Sequence, residues 1–124
     1  MNVPRALREL IEANDPTITC VLRLPVDYDS HLPLAELLTV PGEALPEPWE
    51  MSAHVQITCY GNGLNETYAK AYRIRQAING PAQQTAEGLL DDVFPVQDPT
   101  EIGWPHETIC AVQAVYGVVY RISE

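Results

Sequence analysis

One stretch constrains the fold more than any other. Residues 52–80 read SAHVQITCYGNGLNETYAKAYRIRQAING. From Ala53 to Tyr60 apolar and polar residues alternate, with Val55, Ile57 and Cys59 on one face and His54, Gln56, Thr58 and Tyr60 on the other. That period of two predicts a strand with one buried face. Gly61-Asn62-Gly63 then turns the chain. From Leu64 to Asn79 the period lengthens, and Leu64, Tyr68, Ala71, Ile74 and Ile78 fall on one stripe of a helix. Glu66 and Lys70 stand four apart in the favourable order, and Gly80-Pro81 ends the helix. The unit carries no nucleophile with a base, no metal-ligand spacing and no phosphate loop. Gly61-Asn62-Gly63 lacks the further glycine and Lys-Ser/Thr that would bind phosphate. The stretch is a scaffold.

Around it the pattern predicts a small α+β domain. Asn2 to Asn14 reads as a helix, capped by Asn2, with Pro4 in its first turn and Val3, Leu7, Leu10 and Ile11 as its apolar stripe. Thr17 to Leu24 alternates as a strand. Leu32 to Val40 reads as a short strand, because Pro33 and Pro41 leave no room for two helical turns. Pro41, Pro46 and Pro48 stiffen the loop that follows. Residues 81–107 read as largely irregular, with a short strand near Asp92 to Val96. Thr108 to Ile122 is a long final strand. The order α-β-β-β-α-(β)-β predicts an antiparallel or mixed sheet of four to five strands, with two helices packed on one face. The length of 124 residues fits one domain, taken as 1–124.

The final strand is apolar on both sides. Cys110, Val112, Ala114, Tyr116, Val118, Tyr120 and Ile122 share one face, while Ile109, Ala111, Val115 and Val119 lie on the other. A second apolar face needs cover from the same chain or from a neighbouring subunit. Gly117 interrupts that face and marks a bulge or a close backbone approach.

Charge narrows the partners. The chain holds 7 Lys and Arg against 17 Asp and Glu, a net charge of −10. Nucleic-acid binding needs clustered bases, so a phosphate-gripping surface is excluded. Five of the bases (Arg5, Arg8, Lys70, Arg73 and Arg75) fall in the two helices, while the connections are acidic. Such segregation suits either solvated loops or complementary surfaces that steer self-association. No apolar run approaches the roughly 18 residues of a membrane span, and MNVPRALRELIEAND has no signal-peptide h-region, so neither membrane insertion nor export is expected.

Candidate chemistry is sparse. Cys20, Cys59 and Cys110 have no CxxC spacing and lie in strand-like stretches, so buried reduced thiols are expected. His31, His54 and His106 are far apart in sequence. Asp91-Asp92 is the adjacent acid pair, read either as a solvated loop or, with Asp98, as a magnesium site. A small hydrolase or ligand-binding domain would use Cys59 or these acids. Trp49 and Trp104 each stand beside a proline, either capping the core edge or anchoring a protein partner. With Arg73, Val115, Val119 and Arg121 they form the candidate interface set. No catalytic, cofactor-binding or metal residues are assigned.

Three patches in this order resemble the tail terminator, or tail completion, proteins of long-tailed bacteriophages, particularly those infecting actinobacteria. They are HLPLAELLTV (31–40), HVQITCYGNGLNETYAKAYRIRQAI (54–78), and FPVQDPTEIGWPHE (94–107) leading into ICAVQAVYGVVYRIS. The resemblance implies a non-enzymatic virion protein with no cofactor, made in the host cytoplasm and located in the tail or neck. It implies a homo-oligomeric ring, commonly a hexamer, that caps the tail tube and meets the head connector. DNA would pass through its lumen without specific binding. A neighbouring head-completion adaptor is the alternative within the same class, and an α+β interaction module of a bacterial host lies outside it.

Overall fold

The structure is a computed structural model and describes residues 1–40 and 50–121. The expected proline-stiffened loop, Trp49 and Ile122 lie outside those residues.

The elements run α1 (Val3–Asn14), β1 (Thr19–Val21), a single 3-10 turn (Tyr28–Ser30), β2 (Leu34–Val40), β3 (Glu50–Asn62), α2 (Leu64–Ile78), β4 (Gly80–Thr85), β5 (Gly88–Ile102) and β6 (Ile109–Arg121). The six strands form one sheet in the order β1-β2-β3-β6-β5-β4. β1 and β2 are parallel, and every other pairing is antiparallel. The α+β class is therefore as expected, with one strand more than the four to five expected.

That difference comes from residues 80–102, read in sequence as mostly irregular. They form the β4–β5 hairpin, and β5 runs fifteen residues despite Pro95 and Pro99. β4 pairs only from Gly80↔Val93 to Thr85↔Gly88. Beyond Val93 the far side of β5 is a sheet edge, where a missing N–H costs no ladder bond. Register shifts against β6 between Leu90/Asp92, Pro95/Gln97 and Gln97/Thr100 absorb the rest of the misfit. Conversely β1 is only three residues long. Leu22 and Leu24, expected in that strand, lead into the turn-bearing loop.

Both helices pack on one face of the sheet, α1 against α2, β1 and β2, and α2 against β3, β6 and β5. The core between them holds Leu7, Ile11, Leu37, Val55, Ile57, Ile74, Ile78, Val112, Tyr116 and Val118, all buried. At the N-terminus of α1 the Asn2 side chain accepts the Arg5 backbone N–H at 3.2 Å. At the junction of β3 and α2, Gly63 adopts φ +92°. Its carbonyl accepts the Thr67 backbone N–H at 3.2 Å and the Thr67 hydroxyl at 2.7 Å.

Asp15 joins the two helices. Its buried carboxylate sits just past the end of α1, 5% exposed, where the helix dipole disfavours a negative charge. Four donors outweigh that: the Thr17 hydroxyl, the Thr17 backbone N–H at 3.1 Å, and Lys70 Nζ and Arg73 Nη1 of α2, each at 3.2 Å. The Thr17 hydroxyl bond, with the further bonds from Lys70 and Arg73, holds the carboxyl well below the usual carboxylate range.

Tyr116 is the exception to good packing. It is fully buried, and among the described residues its hydroxyl has no hydrogen-bond partner. Burial pushes its ionisation far above the ordinary phenol value. A sealed, unpaired hydroxyl costs about 1–3 kcal/mol relative to a satisfied one. Tyr116→Phe is therefore expected to raise stability by about 1 kcal/mol, seen as a higher urea midpoint at unchanged m-value. A lower midpoint would mean that the hydroxyl has a partner.

Candidate interaction surface

The side of the sheet away from the helices is the candidate site. The register lays it out in rows across β2, β3, β6 and β5. One row is Leu38, Gln56, Val115 and Gln97; the next is Val40, His54, Gly117 and Phe94. Ser52, Val119 and Asp92 follow. Phe94 is 40% exposed and Leu38 37%, while Val40, Val115 and Val119 are half-buried. Gly117 is buried because the Phe94 ring lies across it, so close that any Cβ there would strike the ring. The close approach expected at this glycine is real, and the bulges fall on the neighbouring β5 instead.

One end of this face is covered. The loop carrying Tyr28 folds over Leu34, Tyr60, Ile109 and Ala111. Its anchor is Glu36, whose carboxylate accepts the Leu24 backbone N–H at 2.9 Å. Trp104 closes the cluster, with its ring 4.8 Å from Tyr60 and its Nε1 donating to the Tyr28 hydroxyl at 3.1 Å. Burial, followed by the Glu36 charge, pushes the Tyr60 phenol up to about 12.

The structure thus brings Val115, Val119 and Arg121 together on one face, with Trp104 at its covered end. Arg73 stands apart, on the helix layer at the opposite side, 61% exposed and paired with Asp15. Arg121 Nε donates to Asp91 at 3.1 Å. Leu38, Val40 and Phe94 were missed in the sequence. The signal that would have found Leu38 and Val40 is the apolar residue on each phase of β2. Phe94 fell in the short strand read near Asp92 to Val96, but that strand was not placed beside β6, so its neighbour Gly117 could not be seen.

The alternative chemistry is engaged elsewhere. Asp91 pairs with Arg121, and Asp98 accepts from Arg75 at 2.7 Å, so these acids face arginines rather than a common point. Among the described residues no cluster of three His, Cys, Asp or Glu side chains is placed to hold a metal ion. Cys20 and Cys59 are buried free thiols, and burial pushes both up to about 12, so they stay protonated at neutral pH. Cys110 is a half-buried free thiol. A cleft of about 350 Å³ lies between Pro33, Asn62, Glu66 and Lys70. Its ammonium is already bonded to Asp15 and Thr17. No described helix is long and apolar enough to cross a membrane.

No protein-family model matches the chain. Over 101 residues it is 35% identical to the polyribonucleotide nucleotidyltransferase of Zymomonas mobilis subsp. mobilis, an alignment that takes in 73% of this chain. The chain spans only 13% of that protein's length. In three dimensions it is similar to a chain from the virion of a native gene transfer agent particle. The TM-score is 0.65, the match covers 94% of this chain and 92% of that one, and identity is 11%. This is a likeness of fold.

Proposed function

We propose that this chain is a structural protein of a phage-type virion, and within that class a tail terminator. It assembles as a ring, commonly a hexamer, on the end of the tail tube, stops tube growth and presents a joint to the head connector. The observation that carries the reading is the end-to-end fold match to a chain of the gene transfer agent virion. The three sequence patches that resemble tail terminators support the narrower role. The half-open apolar sheet face supplies surface for assembly, as expected of a subunit rather than a lone monomer. A net charge of −10 suits a lumen through which DNA slides, because like charge repels phosphate. Of the interface residues expected from the sequence, Val115, Val119 and Arg121 lie on the open face and remain part of this proposal.

The stretch shared with the nucleotidyltransferase favours a second reading, a segment serving RNA chemistry. Charge weighs against it, since Arg8, Lys70, Arg73, Arg75 and Arg121 are each paired with an acid.

Native mass spectrometry of the chain, alone and mixed with its tail-tube protein, tests the proposal. A closed species near six copies, or stoichiometric capture on tube ends, is the expected result. A monomer that ignores tubes but binds polyribonucleotide at moderate salt would overturn it in favour of the second reading.

A further inference from the structure

Two surfaces that the described residues leave at least partly uncovered lie on opposite sides of the sheet. One is the outer face just described. The other is a stripe of α2: Asn65, Ala69, Tyr72, Arg73 and Gln76 are all exposed. Their spacing of four, seven, eight and eleven residues from Asn65 places them on one side of the helix. Tyr72 is 44% exposed there. Its base, Arg73, is 61% exposed and shares the single Asp15 carboxylate with Lys70, two bases to one acid, while exposed Glu66 lies at the border of the stripe.

The outer face has the complementary character. Its floor is apolar, and Asp92 stands in the Val119 row. Its base, Arg121, is already engaged by Asp91. The dimensions agree as well. The fifteen residues of α2 span about 22 Å at helical rise. The run of β6 from Gln113 to Val119 is roughly 20 Å long at strand rise. Ala69 at the middle of the stripe permits close approach.

The sheet edges, by contrast, are poor contacts. β1 offers three residues, β4 carries Pro81, and the free half of β5 carries Pro95 and Pro99. Edge-to-edge strand pairing between copies is blocked by such features.

We propose that the exposed stripe of α2 in one copy docks on the outer sheet face of the next. Helix and outer face point in opposite directions, so the contact is heterologous and repeats from copy to copy, closing into a ring when the rotation allows. The inference rests on the ring reading above and adds which surfaces meet.

Single cysteines test it in the full-length chain carrying Cys110→Ser. Gln56→Cys marks the sheet face and Ala69→Cys the helix stripe. The two variants are treated with a short bismaleimide separately and mixed, with and without tail tubes. A covalent dimer in the mixture alone is expected, and the double variant should give a ladder up to the ring number. Cross-linking of Gln56→Cys with itself would mean a two-fold, face-to-face contact and overturn the inference. So would no cross-link in the mixture under either condition. Tube capture by the unmodified chain is read separately. A chain that caps tubes without the cross-link loses only this contact, and one that gives the ladder but ignores tubes loses only the capping role.

Discussion

Asp15→Ala is expected to lower the unfolding free energy by about 2–3 kcal/mol, the range for losing charge-assisted hydrogen bonds from a buried carboxylate. The substitution removes the acceptor that Thr17, Lys70 and Arg73 share, and with it the tie between the end of α1 and the middle of α2. The two cations do not contribute equally. Lys70 is 25% exposed and Arg73 61%, so solvent screens the arginine more. A double-mutant cycle should accordingly give a larger coupling for Asp15 with Lys70 than with Arg73. The same carboxylate sets an acid dependence. Its folded-state ionisation is depressed, so its stabilisation is complete above the unfolded value near 4 and is lost as pH falls through the folded one. Urea midpoints measured from pH 7 to pH 2.5 should therefore fall less steeply in Asp15→Ala than in the parent chain. Parallel slopes would show that Asp15 is not held as described.

Gly61→Val is the second large effect, expected to cost about 2–3 kcal/mol as an overpacked buried site. A Cβ at Gly61 would stand 2.7 Å from the Thr67 hydroxyl oxygen. Thr67 is buried in the first turns of α2 and donates that hydroxyl to the Gly63 carbonyl. Relief of the clash must break this bond or push the helix off β3. Gly61→Ala should show the same defect in smaller measure. Thr67→Ala on top of Gly61→Ala should restore part of the loss, because the atom in the way is gone. Strict additivity in thermal denaturation would place the strain elsewhere.

The central unit was legible because two independent signals agreed in it. The alternation from Ala53 to Tyr60 and the stripe from Leu64 to Ile78 mark β3 and α2 to within three residues at either end. Asn2 and Pro4 likewise announce α1. The hairpin of β4 and β5 was not legible, for a reason that lies outside its own residues. Pro95 and Pro99 argue against a strand only when both sides of it are paired, and whether β4 reaches that far is a tertiary fact. The candidate surface was half legible. Val115 and Val119 stood out as apolar residues on the wrong side of β6, but the Tyr28–Tyr60–Trp104 cluster over the other end depends on a loop folding back across the sheet. That fold-back also gives Trp104 its cover, which the sequence left open between core edge and partner anchor.

The strand order carries a kinetic consequence. The two central strands, β3 and β6, come from distant parts of the chain, with Glu50 beside Arg121 and Asn62 beside Ile109. All six strands hang on that pair, yet it closes the longest loop in the sheet. Local hairpins such as β4–β5 form in microseconds, whereas non-local pairing waits on loop-closure entropy. Until β6 arrives, Val55 and Ile57 are paired on the β2 side alone and Val93 on the β4 side alone, so each half-sheet keeps an open edge. A nascent chain therefore stays sticky until β6 has been made and docked between β3 and β5, and its solubility turns on how soon that strand arrives.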